Sequence, residues 1–259
     1  MLAGRSRTNM PRFSHGPVEI DYLDEGEGDP CVLVHGFAST KEINWVFPGW
    51  VTTLRRAGRR AIALDNRGHG QSTKLYRPQD YTIAAMASDV RALLDHLGIA
   101  GADLVGYSMG ARICAFLAAH EPARVRSAVL AGVGLSLVGG RDLRETIAAA
   151  LEAPSLAAVS DPTGRTFRAF AEQTRSDLRA LAACIRGSSE RLSRADAAAI
   201  RVPLLIAAGT TDDVAGPVRP LADLIPGAQV LEIPGRDHMR AVGDRVFKEG
   251  TLAFFAARP

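Results

Sequence analysis

The stretch Leu104-Val105-Gly106-Tyr107-Ser108-Met109-Gly110-Ala111 constrains this chain more than any other. It reads as the end of an apolar strand, then Gly-x-Ser-x-Gly, then the start of an alanine-rich helix running to about His120. A strand that turns at once into a helix forces the corner residue into a strained backbone conformation. It also brings the two elements so close that flanking side chains would collide. Gly106 and Gly110 remove those side chains. Ser108 is then held out beyond the sheet edge, at the positive end of the helix dipole. The same motif also occurs in plain loops; the strand before it and the helix after it give this instance its chemical meaning.

Along the rest of the chain, strand-like and helix-like patterns alternate. Val18 to Asp24 alternates apolar and polar residues, as a half-exposed strand does. Cys31 to Val34 and Ala61 to Leu64 are short apolar runs suited to buried strands, and Asp103 to Tyr107, Val125 to Ala131, Pro203 to Ala208 and Gln229 to Ile233 read as further strands. Between them, Trp50 to Ala57 and Tyr81 to Leu97 have helical spacing, and Val242 to Ala257 reads as a closing helix. This order predicts an α/β fold with a mostly parallel central sheet flanked by helices. Residues 12–133 and 201–259 form the expected core. Residues 134–200 break the rhythm: they carry helical patterns near Arg141–Leu151, Thr166–Ala183 and Ala195–Ile200, interrupted by Pro154 and Pro162, with no strand-like run. A small helical insertion, lying over the strand ends as a lid and packed more lightly than the core, is expected there. Residues 1–11 read as a flexible N-terminus, with Met10 an alternative start.

Composition narrows the partners. The net charge of +3 comes from scattered arginines, with no basic run interleaved with aromatics, so no nucleic-acid partner is expected. The three cysteines, Cys31, Cys114 and Cys184, are odd in number and widely spaced, which argues against a disulfide framework and for a reducing cytoplasm. No apolar run is long enough to span a bilayer and the N-terminus has no apolar signal core, so no membrane partner is expected. None of the six histidines has metal-ligand spacing, and no metal is expected. Gly132-Val133-Gly134 follows a strand but lacks the third glycine of a dinucleotide loop, Leu137 standing in its place, so no cofactor is expected.

A serine hydroxyl needs a base within hydrogen-bond reach, and the base needs an orienting acid. His238 follows the last strand, which puts it at the same carboxyl edge as Ser108 in a parallel sheet. Asp212 follows the preceding strand, with Asp213 beside it as the alternative acid. The loop after Val125–Ala131 has no carboxylate before Asp142. Of the other histidines, His35 and His69 read as loop supports and His15, His96 and His120 as surface residues. Asp237, the immediate neighbour of His238, reads as solvent-facing.

Four motifs carry a resemblance: His35-Gly36-Phe37, Asp65-x-Arg67-Gly68-His69-Gly70-x-Ser72, the turn around Ser108, and Gly209-x-x-Asp212 with the late Gly235-x-x-His238. From about residue 12 to its C-terminus the chain resembles the α/β-hydrolases of the serine esterase type. The resemblance implies Ser108 as nucleophile, Asp212 as acid and His238 as base. It implies the backbone N–H groups of Phe37 and Met109 as oxyanion donors. The expected reaction is hydrolysis of a small carboxylic ester or lactone through an acyl-enzyme, the substrate being the expected small-molecule partner. C–C bond hydrolysis, perhydrolysis and acyl transfer run on similar sites, and a slow-turnover receptor can retain one. Dehalogenase and epoxide-hydrolase chemistry is disfavoured, because related enzymes place Asp where Ser108 stands. Phe37, Tyr107, Met109, Val133 and Met239 are the expected lining of an apolar acyl pocket. Phe167 and Phe170, three apart on a helical pattern, share a face of the insertion.

Overall fold

The computed structural model describes residues 11–139, 142–188 and 190–257. The expected flexible N-terminus lies outside the described residues, apart from Pro11. The strands are β1 (Arg12–His15), β2 (Val18–Glu25), β3 (Asp29–Val34), β4 (Arg59–Leu64), β5 (Ala102–Tyr107), β6 (Val125–Ala131), β7 (Leu204–Gly209) and β8 (Gln229–Ile233). They form one eight-stranded sheet in the order β1-β2-β4-β3-β5-β6-β7-β8. β1 and β2 pair antiparallel, as do β2 and β4, and every pairing from β4 to β8 is parallel. The central strand β5 is buried along its whole length, which is why its sequence shows no polar alternation.

Strand residues alternate between two apolar layers. Leu33, Ala63, Val105 and Val129 face Trp50 and Leu54 of α1 (Trp50–Arg56) and Phe247, Phe254 and Phe255 of the C-terminal helix. Val32, Ile62, Leu104 and Ala128 face α2 (Ile83–His96) and α3 (Met109–His120). Thr82 starts α2 by accepting a hydrogen bond from the Ala85 N–H at 3.1 Å. Because the inner strands are parallel, the loops after β3, β5, β7 and β8 open at one carboxyl edge of the sheet.

Between β6 and β7 the chain carries α4 (Arg144–Glu152), α5 (Pro162–Gln173), α6 (Leu178–Gly187) and α7 (Arg194–Ala199). The Thr166–Ala183 pattern is two helices, not one. Arg175 turns at φ +53°, and Asp177 caps α6 by accepting from the Ala180 N–H at 3.0 Å. Pro162 does not interrupt a helix but opens α5, where its missing N–H costs nothing, behind the Asp161 cap. The expectation of light packing fails. Ile147, Leu151, Phe167, Ala171, Leu181 and Cys184 are buried in the same apolar cluster as the sheet. Thr174 Oγ donates to the Ala38 carbonyl at 3.1 Å, and Tyr76 Oη donates to Asp177 at 2.9 Å. The chain finishes with α8 (Arg219–Ala222) and α9 (Arg245–Ala257). Among the described residues no helix is long and apolar enough to cross a membrane.

Candidate active site

The corner between β5 and α3 has the strain that the glycine pattern predicts. Ser108 sits at φ +53°, ψ −110°, a conformation that is costly for a side-chain-bearing residue. It is held there by its own N–H, which donates to the Ala131 carbonyl of β6 at 2.7 Å. A Cβ on Gly106 would run into the Gly110 backbone, and one on Gly110 into the Val34 carbonyl. The two glycines therefore permit the approach that projects Ser108 over the sheet edge.

His238, in the loop after β8, places Nε2 3.0 Å from Ser108 Oγ. Its Nδ1 lies 2.8 Å from Asp212 Oδ2 and 3.0 Å from Oδ1. Asp212 follows β7 and is itself fixed, since Oδ1 accepts the N–H groups of Val214 and Ala215 at 3.0 and 2.9 Å. A carboxylate facing Nδ1 keeps the proton on that nitrogen and leaves Nε2 as an acceptor toward the hydroxyl. The neighbouring Asp213 is exposed, while Asp212 and His238 are both buried. Asp237 turns to solvent and accepts the N–H groups of Met239 and Arg240 at 3.1 and 2.9 Å.

Two residues hold His238 in a way its sequence neighbourhood does not announce. Tyr107 Oη donates to the His238 carbonyl at 2.6 Å. Trp50 Nε1 donates to the Val242 carbonyl at 2.7 Å and ties the same loop to α1. Burial pushes the Tyr107 hydroxyl pKa up, with Asp212 and then Asp237 adding to it, so it stays a proton donor.

The loop after β3 carries His35, Gly36 and Phe37 beside the corner. Met109 is the first residue of α3, so its N–H has no intrahelical acceptor. The Gly36 N–H donates to Asn44 Oδ1 at 2.8 Å, which orients the peptide run into Phe37. Asn44 carries no motif and was invisible as a site residue. Ala38 is held at φ +57°, and its N–H donates to His69 Nε2 at 3.2 Å. His69 Nδ1 in turn donates to the Arg67 carbonyl at 3.0 Å. His35 repeats the pattern: Nε2 accepts the Asn66 N–H at 3.0 Å, and Nδ1 donates to the Gly36 carbonyl at 2.7 Å. Both imidazoles are fully buried and must be neutral to accept at Nε2. Burial, followed by the neighbouring His35, pulls the His69 pKa down to about 3, and burial also lowers that of His35. Their reading as loop supports agrees with this geometry.

Beneath the same loop Lys41 is fully buried. Its ammonium meets Asp21 at 2.5 Å, Asp65 at 2.9 Å and Glu42 at 2.9 Å. Burial alone would lower its pKa; the charge of Asp65 and the carboxylate hydrogen bonds outweigh that and raise it. His15 departs from expectation. It is half-buried rather than a free surface residue, because Asp89 of α2 accepts from its Nδ1 at 2.8 Å.

Two cavities meet at Ser108. The first, about 250 Å³, is lined by Tyr107, His238, Met239, Val242 and Phe170. The second, about 140 Å³, is lined by Met109, Arg112, Ser136, Ile147 and Arg191. Phe37, Ser108 and Phe167 line both. The single expected pocket is therefore divided, with Met239 and Tyr107 on the His238 side and Met109 on the other. Val133 lines neither: it is 1% exposed and faces the core. Gly132 turns the chain at φ +64°, and the Gly132 and Gly134 N–H groups bind the Ala207 and Ala215 carbonyls, which draws this loop into the fold. All three cysteines are buried, and Cys184 Sγ lies 3.8 Å from Met109 Sδ.

Comparison with known proteins gives the lineage. The family profile described as alpha/beta hydrolase fold matches residues 29–176. The chain is 30% identical over 245 residues to BpoC of Mycobacterium tuberculosis, whose name describes a non-heme bromoperoxidase; the match covers 86% of this chain and 91% of that one. It is 42% identical over 125 residues to the dihydrolipoyllysine-residue acetyltransferase component of the acetoin cleaving system of Pseudomonas putida. That match spans 48% of this chain and only 32% of the longer relative. Among solved structures, a hydrolase from Pseudomonas aeruginosa superposes with a TM-score of 0.77 at 26% identity, covering 97% of this chain and all of that one. The eight-stranded sheet order and the profile match agree, and the chain belongs to the alpha/beta hydrolase family.

Proposed function

We propose that the protein is a serine hydrolase that cleaves a small carboxylic ester through an acyl-enzyme. The observation that carries this reading is the line of contacts from Ser108 Oγ to His238 Nε2 at 3.0 Å and from His238 Nδ1 to Asp212 at 2.8 Å. In this reading Ser108 Oγ bonds to the ester carbonyl carbon while its proton passes to His238 Nε2. Asp212 stabilises the imidazolium, and the Phe37 and Met109 N–H groups receive the oxyanion. The ester C–O bond breaks, and the alcohol leaves with the proton from His238. Water then attacks the acyl-serine, gives its proton to His238, and releases the acid and free Ser108. The strained Ser108 backbone and the buried acid support it, because both cost stability at the same point of the fold.

A second reading is perhydrolysis on the same three residues, with hydrogen peroxide in place of water at the deacylation step. The likeness to BpoC over most of both chains favours keeping it. A panel of short-chain p-nitrophenyl esters, run with and without hydrogen peroxide and assayed for peracid, separates the two. Ester turnover without peracid supports hydrolysis. Peracid formation that outpaces free acid supports the second reading. No turnover of any ester overturns both. A cytoplasmic location is proposed on the cysteine usage alone.

A further inference from the structure

The division of the pocket at Ser108 separates two kinds of environment. In the reading above the departing alcohol takes a proton from His238 Nε2, so it must lie in the cavity that His238 lines. The acyl group, still bonded to Ser108, is left the cavity that Met109 and Arg112 line and His238 does not. The alcohol side is walled mainly by Ile43, Pro48, Phe170 and Val242; its one arginine, Arg240, is exposed and lies 3.7 Å from Asp237. The acyl side is lined by Arg112, Arg144 and Arg191 together with Asp142. Asp142 is already taken by Arg144 at 2.6 Å.

Arg112 is the residue of interest. It stands one helical turn after Ser108, its N–H donating to the Ser108 carbonyl at 3.2 Å. Helical side chains lean back toward the N-terminus, here toward the elbow. Its Nη2 donates to the Ser136 carbonyl at 2.9 Å, and Ser136 lines the same cavity. Among the described residues no carboxylate lies within ion-pair distance of it. This distinguishes it from Arg67, whose guanidinium is paired with Asp89 at 2.7 Å. Burial, followed by repulsion from Arg191, draws its pKa down to about 10, which leaves it cationic at neutral pH. A half-buried guanidinium without a counter-charge is unfavourable, and a planar carboxylate is the anion its donor fork fits best.

We propose that the substrate is a half-ester of a short dicarboxylic acid, whose free carboxylate binds Arg112 while Ser108 attacks the ester carbonyl. This rests on the serine-hydrolase reading. The acyl-side cavity, about 140 Å³, restricts the acid to a short one. The products are the alcohol and the dicarboxylate, with the second carboxyl oxygen supplied by water.

Monoethyl glutarate and ethyl pentanoate, equal in chain length and differing in the free carboxylate, provide the test, with ethanol release as the readout. The wild type is expected to favour the half-ester in kcat/KM by about 10- to 100-fold, the range of a hydrogen bond to a charged group. In Arg112→Gln that ratio collapses, chiefly through KM, and Arg112→Lys restores part of it. A wild type that prefers ethyl pentanoate, or an Arg112→Gln variant that keeps the half-ester preference, overturns the proposal and leaves Arg112 as a tie to the Ser136 carbonyl. Should Arg112→Gln not fold, competition in the wild type decides. Glutarate must inhibit ethyl pentanoate hydrolysis more strongly than pentanoate does, and equal inhibition overturns the proposal. If neither ester is turned over, the serine-hydrolase reading stands or falls by the p-nitrophenyl panel alone. Calorimetric titration of the wild type with glutarate then supports the anion site if it binds and pentanoate does not, and overturns it otherwise.

Discussion

Replacing Asp212 by Asn tests the site more sharply than deleting it, because the structure dictates how the amide must sit. Oδ1 of Asp212 accepts two backbone N–H groups, from Val214 and Ala215, at 3.0 and 2.9 Å. An amide nitrogen cannot accept them, so the Asn oxygen takes the Oδ1 position. The NH₂ group then occupies the Oδ2 position, 2.8 Å from His238 Nδ1. A donor there forces Nδ1 to be unprotonated and puts the ring proton on Nε2, facing Ser108 Oγ. That tautomer cannot take the serine proton. The equivalent change in a serine protease costs about 10⁴ in kcat, or about 5 kcal/mol of barrier. Asp212→Asn should therefore lose about 10⁴ in kcat on a p-nitrophenyl ester while keeping its melting temperature, since both backbone donors stay satisfied. Asp212→Ala should lose activity and stability together, because it leaves the buried Ala215 N–H unpaired at about 1–3 kcal/mol and the half-buried Val214 N–H without its acceptor. The exposed Asp213→Asn should cost little. A kcat loss under tenfold in Asp212→Asn, or a greater loss in Asp213→Asn, would refute the reasoning.

The loop histidines predict a pH dependence of stability. His69 has a folded pKa of about 3 against an ordinary 6.5, so the unfolded chain binds the extra proton between those values. Its contribution is fully present above pH about 6.5 and is lost as pH falls toward 3, with His35 acting in the same direction. Melting temperature should fall from pH 7 to pH 5, less steeply in His69→Gln; a flat profile in the wild type contradicts this. Phe167 is 8% exposed and its ring lies 6.0 Å from that of Phe37. Phe167→Ala should cost about 3 kcal/mol in urea unfolding and broaden acyl-length preference, since it opens the wall between the two cavities. Phe170→Ala, at a half-buried position on the His238 side, should change alcohol preference with a smaller stability cost; equal effects from both substitutions would sink the division of the pocket.

What the sequence made legible is what local pattern encodes. The Ser108 elbow needs glycines at fixed spacing, and parallel strands deliver Asp212 and His238 to the same edge whatever the loops between them do. The strands of the sheet are located by the sequence except β1, whose Arg12–His15 run is four residues long with one buried position, and β2 is not half-exposed as its alternation suggests but buried from Ile20 to Leu23. The rest depends on contacts between distant segments. His15 looks like a surface residue until Asp89, 74 residues away, packs against it. Tyr107 reads as pocket wall, yet its hydroxyl reaches a carbonyl 131 residues on. Arg112 is the one charged residue of the alanine-rich α3, and its place at the pocket shows only through the Ser136 carbonyl, 24 residues on. Val133 was misplaced because a glycine on each side lets the loop fold back into the core.

The central claim is that Ser108 is the nucleophile, and covalent labelling tests it most directly. The wild type is treated with a serine-directed fluorophosphonate, digested, and the adduct located by peptide mass spectrometry. The account predicts one adduct per chain, on the peptide that contains Ser108. It predicts no adduct in Ser108→Ala, together with a kcat loss on the order of 10⁶, as for the corresponding subtilisin substitution. An adduct on another residue, or labelling that survives in Ser108→Ala, would contradict it.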